Sequence, residues 1–286
     1  RLAREPFLAI AEIAGRASAA RILAAAPLSL DEIETRLAAS IENTEDIIFD
    51  RASASVKSRK LRRLGAIILN EQPQPIEGPQ AAAVLAQGIA AIGIERLPWT
   101  KAQIQLRDRV QFLRKAQAGS SEDTWTDLGD AALATSAQDW LAPFIDGRSS
   151  LAAITPDDLD AALSALLPWS LAQRLEEEAP THFEAPTGSR IALDYEAEGG
   201  PVLAIRVQEL FGLGKHPAIA GGRIPLTLHL LSPAHRPIQI TRDLPGFWKG
   251  SWSAVKTEMK GRYPRHVWPD DPAAATATTR AKPRGT

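Results

Sequence analysis

The residue types able to do chemistry are concentrated in two short runs. In GFWKGSWSAVKTEMKGRYPRHVWPDDP, Gly246 to Pro272, the cations Lys249, Lys256, Lys260, Arg262 and Arg265 alternate with Trp248, Trp252, Tyr263 and Trp268. Cations neutralise phosphates and flat rings stack on bases, so this composition suits a polyanion. It also suits a terminal helix packed through its tryptophans and followed by a proline-ordered loop. The second run is Lys57, Arg59, Lys60, Arg62 and Arg63. On a strand or loop it could line a nucleic-acid backbone track, or it could be a solvated connector.

Other chemistries lack their residues. There is no cysteine, so disulfides and thiolate zinc sites are excluded. No G-x-x-x-x-G-K-[ST] phosphate loop occurs. GLGKHPAIAGG, Gly212 to Gly222, has a G-x-G-K string without the spacing, or the Ser/Thr, that would hold magnesium, and reads as a turn. His182, His216, His229, His235 and His266 show no metal-ligand spacing, and neither H-E-x-x-H nor G-x-S-x-G is present. Glu176, Glu177 and Glu178 sit beside Pro180 and read as a solvated helix end rather than an acid/base pair. The expectation is therefore no catalytic residue, no metal ligand and no cofactor within the chain.

Net charge is −1, but it is divided unevenly. Residues 1–200 hold 20 Lys/Arg against 29 Asp/Glu, and residues 201–286 hold 13 against 5. Such asymmetry points to a polyanion-facing C-terminal part or to electrostatic docking of one part on the other. No apolar run approaches the ~18 residues of a membrane span. The opening RLAREPFLAIAEI has neither Met nor a signal-peptide pattern and reads as the inside of a longer protein.

The elements that would position these residues follow from periodicity. FLAIAEI and ARILAAAPL have strand length. SLDEIETRLAASI opens with a capping-box spacing, Ser29 to Glu32, and its apolar positions share one helical face. Strand-like runs at 46–52 and 64–69 flank the first basic run as a link, and QPQPIEGPQ is a Pro-rich linker. An OB-like β-rich unit over 1–75, with its start upstream, fits this spacing. Residues 76–180 read as a helical connector. Its helices include one ended by Gly93, one with Ile104, Leu106, Val110 and Leu113 buried, and one over ALATSAQDWLAPFI. AGSSEDTWTDLGD is a loop, and Thr155-Pro156-Asp157 starts another helix. Residues 181–272 change to period two, with one hairpin of RIALDY and PVLAIRV across a Gly-Gly turn and another across Ser232 to Arg236. FWKGSWSAVKTEMKGRY is one helix with Trp248, Trp252, Val255 and Met259 on a stripe, and residues 273–286 are a disordered basic tail. The fold class is α+β and multidomain.

RVQELFGL, AGGRIPLTLHLLSPAHRPIQITRDLPGFWKGSW and MKGRYPRHVWPDDP together resemble the C-terminal domain of HrpB-type ATP-dependent RNA helicases. ARILAAAPL, RRLGAIILNEQPQP, GIERLPWTKAQIQLRDRVQFLR, LATSAQDWLAPFIDG and LPWSLAQRLEEEAPTHFEAPTGSRIALDY carry the same likeness upstream, in family order. Trp252 departs from it, standing where GSY is expected. The resemblance implies a DEAH-like superfamily 2 protein whose RecA-like motor domains bind ATP and Mg²⁺ and lie outside this chain. No motor residue matches here, so no catalytic residue carries over. The implied role is an accessory region that binds single-stranded RNA, with DNA left open, and docks on the motor. The site residues are then Lys57, Arg59, Lys60, Arg62 and Arg63 with Lys249, Lys256, Lys260, Arg262 and Arg265. A monomeric, cytoplasmic protein with no membrane partner is expected. Two rival readings are a scaffold that docks acidic proteins through its basic part, and a small-molecule enzyme using a cleft.

Overall fold

The computed structural model describes all residues except 1, 17–18, 76–77, 119–124, 198 and 282–286. Its chain forms two compact units, residues 1–92 with 145–154, and residues 93–144 with 155–286.

The first unit begins with β1 (Leu8–Ala14) paired antiparallel to β2 (Arg21–Pro27). Helix α1 (Leu30–Arg36) starts at the expected capping box, with Ser29 and Glu32 satisfying each other's backbone N–H groups. Strands β3 (Ile41–Asp50), β4 (Ser55–Leu64) and β5 (Ile67–Gln74) form an antiparallel meander with β4 in the centre. The basic run expected as a link is thus the middle strand. Its backbone groups find partners on both sides, and carboxylates on the flanking strands sit beside its cations. Ladders join β1 to β2 and β3 to β4 to β5, and no ladder among the described residues joins the two sets as a closed OB-like barrel would.

Helix α2 (Pro79–Ile92) packs close to the meander through Gly88, where an added Cβ would lie 2.1 Å from Phe49 Cγ. Gly93, at φ 116°, ends the helix in a conformation that suits glycine. Residues 145–154 join this unit through backbone bonds. Val56 N–H donates to the Ser149 carbonyl (2.8 Å) and Leu151 N–H to the Ala54 carbonyl (2.9 Å).

In the second unit, α3 (Lys101–Ala116) buries Val110 and Leu113 as expected, but Ile104 is 43% exposed and Arg109 is buried in its stead. Arg109 is tolerated there because carbonyls of another helix take its guanidinium. The single helix expected over 132–145 is two, α4 (Asp130–Thr135) and α5 (Ala137–Trp140). The hydroxyls of Thr135 and Ser136 bond back to the Ala131 and Ala132 carbonyls at the break. The Thr155 start signal opens α6 (Pro156–Leu166) with a capping box to Asp158, and α7 (Trp169–Glu178) follows. The loop expected before α4 lies partly outside the described residues, as does the end of the Pro-rich linker.

Short β6 (His182–Glu184) pairs with β7 (Arg190–Ala192). The hairpin expected across Gly-Gly reduces to one bridge between Asp194 and Val202. Strand β8 (Val202–Arg206) instead finds its ladder farther on. Beyond the small pair β9 (Ala218–Ile219) and β10 (Ile224–Pro225), β11 (Thr227–Leu231) runs parallel to β8 and antiparallel to β12 (Pro237–Thr241). The expected hairpin across Ser232 to Arg236 is therefore present. Helices α8 (Leu244–Lys249) and α9 (Trp252–Arg262) replace the single helix expected, with the break at Gly250–Ser251.

Trp248 and Trp252 pack edge-on at 5.4 Å, and Phe211 sits 5.5 Å from Trp252. Both indoles are buried and bonded, Trp248 to the Leu213 carbonyl (3.0 Å) and Trp252 to the Pro269 carbonyl (2.9 Å). Trp248 and Trp252 are thus core, not stacking platforms. Pro272 forms a strap with residues 273–279, which were expected to start a structureless tail. Gly212 N–H donates to the Pro272 carbonyl (2.9 Å) and Thr278 N–H to the Gln208 carbonyl (3.1 Å). Residues 282–286 of that tail lie outside the described residues. No described helix is long and apolar enough to cross a membrane.

Candidate nucleic-acid interface

On β4 the cations meet carboxylates that the chain supplies from neighbouring elements. Lys57 pairs with Asp50 at the end of β3. Arg59 reaches Glu71 on β5 (3.0 Å) and Asp46 on β3 (3.1 Å), and these two bonds, Glu71's first, raise its pKa. Arg62 reaches Glu34 on α1 (2.6 Å). Lys57 in turn holds the Asp50 carboxyl down to about 2, helped by the Ala52 N–H and the Ser53 hydroxyl. Lys60 and Arg63 form no ion pair among the described residues; Lys60 is exposed, and Arg63 keeps a buried Nε without a hydrogen-bond partner. The acidic residues of IENTEDIIFD, set opposite SVKSRKLRRL, were the sequence signal for this pairing.

The C-terminal cations stand differently. Lys249 and Lys260 are exposed and form no ion pair among the described residues. Lys256 pairs with Asp270 (2.5 Å), whose carboxyl is held below its usual value by that contact and then by Lys260. Arg262 pairs with Glu258 one turn back (3.0 Å), where both groups are largely exposed and the pair is weak. Arg265 is exposed on the loop after α9. Lys249 lines a 260 Å³ pocket with Trp248, Pro245 and Asp271.

The glutamates at 176–178 do more than face solvent. Glu176 accepts from buried Arg109 (2.7 Å), and Glu178 pairs with Arg174 (3.1 Å) and Arg223 (3.5 Å). The GLGKHP turn does not fit a phosphate. In the GLGKHP turn, the Gly212 and Leu213 amides are spent on the Pro272 and Leu210 carbonyls, so they cannot cradle a phosphate. His216 is spent too, with Nε2 at 2.8 Å from the Leu226 carbonyl and Nδ1 accepting from the Leu244 N–H (3.1 Å). Among the described residues no group of three or more His, Asp or Glu is placed to hold a metal ion.

An α+β chain with antiparallel sheets and a basic C-terminal part has its counterpart among helicase C-terminal regions. Residues 140–272 match the HrpB C-terminal family, described as ATP-dependent helicase C-terminal. Over 265 residues the chain is 42% identical to the ATP-dependent RNA helicase HrpB of Escherichia coli (strain K12), covering 92% of this chain and 32% of that protein. Among solved structures it is similar to the E. coli DExH-box NTPase HrpB, with a TM-score of 0.68, 39% identity, and coverage of 98% of this chain and 34% of the other. A second crystal structure, of the Escherichia coli DEAH/RHA helicase HrpB, gives a TM-score of 0.59 and 38% identity, covering 80% and 29%. The chain thus spans about a third of the length of the relatives it matches.

Proposed function

We propose that this chain is the accessory part of an ATP-dependent RNA helicase, cytoplasmic and monomeric, that grips single-stranded nucleic acid and docks on the ATP-driven motor. The observation that carries this reading is the 42% identity, over nearly all of the chain, to a protein named an ATP-dependent RNA helicase. ATP hydrolysis and Mg²⁺ are assigned to RecA-like domains outside the chain. Within it we assign an OB-like unit over 1–75, a helical connector over 76–180 and a family-specific domain over 181–272.

Ion pairing ranks the cations. Lys60, Arg63, Lys249 and Lys260 have no carboxylate of their own among the described residues and are the first candidates for phosphate contacts. Lys57, Arg59, Arg62, Lys256 and Arg262 must leave a partner to make one. Phosphate contacts of this kind grip without reading sequence, as a moving track requires. Docking is supported by the first unit, where Ile10, Ile13, Ile22 and Leu23 on β1 and β2 are 45–58% exposed. Aliphatic surface of that kind marks a contact with another polypeptide.

The test is binding of the chain to labelled single-stranded RNA over a salt series. Changing Lys249 and Lys260 together to Ala should make the slope of log K on log salt shallower by about 1.4, two contacts at ~0.7 each. Changing Lys57 to Ala should leave the slope near that of the wild type. Absence of RNA binding at low salt, with retention on acidic proteins, would replace this reading with the scaffold.

A further inference from the structure

Resting on that reading, we propose that the pocket between the GLGKHP turn, α8 and the start of the strap takes one guanine base of the single-stranded RNA. Asp271 accepts from the donor edge of the base, and Lys249 holds the phosphate beside it.

Four hydrogen bonds assemble the pocket from three segments that are distant in sequence. The Trp248 indole of α8 donates to the Leu213 carbonyl (3.0 Å), and the Leu244 N–H donates to His216 Nδ1 (3.1 Å). The turn is thus fixed against α8 at two points. Gly212 N–H reaches the Pro272 carbonyl (2.9 Å), which holds the strap beside the same turn. The Trp252 indole on the Pro269 carbonyl (2.9 Å) anchors the residues just before the strap. Gly214, Pro245, Trp248, Lys249, Asp271 and Pro272 then line one cavity of 260 Å³. The strap supplies a wall of this cavity and does not close it.

Size and walls narrow the occupant. At 260 Å³ the cavity lies just under the roughly 300 Å³ at which pockets for whole small-molecule ligands begin, so it suits a single ring system carried by a longer chain. Pro245, Trp248 and Pro272 make the apolar walls. Trp248 is 8% exposed and its indole N–H is spent, so it is a fixed wall rather than a stacking platform.

The polar groups decide which base fits. Asp271 Oδ1 accepts from the Ala273 N–H (3.0 Å) and the Ala274 N–H (3.3 Å). These bonds orient the carboxylate and leave Oδ2 without a partner among the described residues. A carboxylate can only accept, so it needs donors. Guanine sets two adjacent donors on its Watson–Crick edge, N1–H and the N2 amino group. Uracil flanks its one N3–H with two carbonyls, and adenine and cytosine set an acceptor beside their amino group. Asp270 also lines the pocket but is spent on Lys256, with Lys260 adding to the field around it. Lys249, Lys256 and Lys260 outnumber Asp270 and Asp271, so this rim does not repel a strand. Lys249 is exposed and forms no ion pair among the described residues, which leaves it for the phosphate.

The experiment is fluorescence anisotropy of the chain with a labelled oligouridine, and with the same strand carrying one central guanosine or inosine. The guanosine strand should bind about tenfold tighter than oligouridine, with inosine, which lacks the N2 amino group, in between. Asp271→Asn keeps Oδ1 on the two amides and puts a donor where Oδ2 accepts, so it should remove the guanosine preference. Lys249→Ala should make the salt slope of the guanosine strand shallower by about 0.7. Equal binding of the guanosine and uridine strands, a preference that survives Asp271→Asn, or an unchanged slope in Lys249→Ala overturns the pocket assignment while RNA binding itself stands. Guanosine monophosphate competing as well as the guanosine strand would assign the pocket to a free nucleotide and overturn the RNA assignment. Absence of binding to every strand at low salt overturns both this site and the reading it rests on.

Discussion

Replacing Arg109 tests whether the second unit depends on one buried cation. Arg109 is 3% exposed, and its donors converge on the C-terminal end of α7: Nε on the Ala179 carbonyl, Nη2 on the Leu175 carbonyl (3.2 Å) and on Glu176 Oε1 (2.7 Å). A cation at these last carbonyls also matches the helix dipole. Leu175 O keeps a second partner, the Ala179 N–H, but the Ala179 carbonyl would be stranded at a residue 0% exposed. A buried unsatisfied carbonyl costs about 1–3 kcal/mol, and losing the packed arginine stem adds about 1–2 kcal/mol. Arg109→Ala should therefore cost about 2–5 kcal/mol in urea unfolding followed by tryptophan fluorescence, a midpoint shift of about 1 M or more at a slope of about 2 kcal/mol per M. Arg109→Lys should recover less than half, because one ammonium cannot satisfy three acceptors spread around a helix end. Glu176→Gln should cost under about 1 kcal/mol, since that carboxylate side chain is 63% exposed. The reasoning is refuted if Arg109→Ala stays within about 1 kcal/mol of wild type, or if Glu176→Gln costs as much as Arg109→Ala.

Two further outcomes follow from the first unit. Gly88→Ala gains about 1 kcal/mol of helix propensity but drives a Cβ to 2.1 Å from Phe49 Cγ, so a net loss of about 1–2 kcal/mol is expected, partly recovered by adding Phe49→Leu. Equilibrium denaturation of both variants beside the wild type checks it. The Asp50 carboxyl should titrate by NMR near 2, and in Lys57→Met it should move back toward 3.8. Because this pKa is depressed, the Asp50 contribution to stability is present above 3.8 and is lost as pH falls toward about 2.

What could be read from the sequence was whatever is local. Ser29 with Glu32, the helix start at Thr155-Pro156-Asp157 and the turn at Ser232 to Arg236 each write their structure within five residues, and all three form. The basic run at 57–63 misled because the period-two signal relies on apolar alternation, whereas here cations on the middle strand are matched by Asp46, Asp50 and Glu71 across the sheet. The parallel pairing of β8 with β11 joins segments too far apart for any turn to announce it. The tryptophan stripe was right about burial but did not foresee the break at Gly250, which lets two short helices present both indoles to Phe211.

The strap at 272–279 has a consequence for the order in which the molecule is completed. During synthesis the β1–β2 hairpin and the β3–β4–β5 meander can close as soon as they emerge, since each strand pairs with the next one made. The edge at the end of β8 cannot. The Gln208 carbonyl waits for the Thr278 amide and the Gly212 amide for the Pro272 carbonyl, made some sixty to seventy residues later. A nascent chain stopped before Pro272 would hold every strand and helix of this fold and still lack the cover over that edge. The basic face is therefore finished last, after the acidic first two hundred residues have already been made.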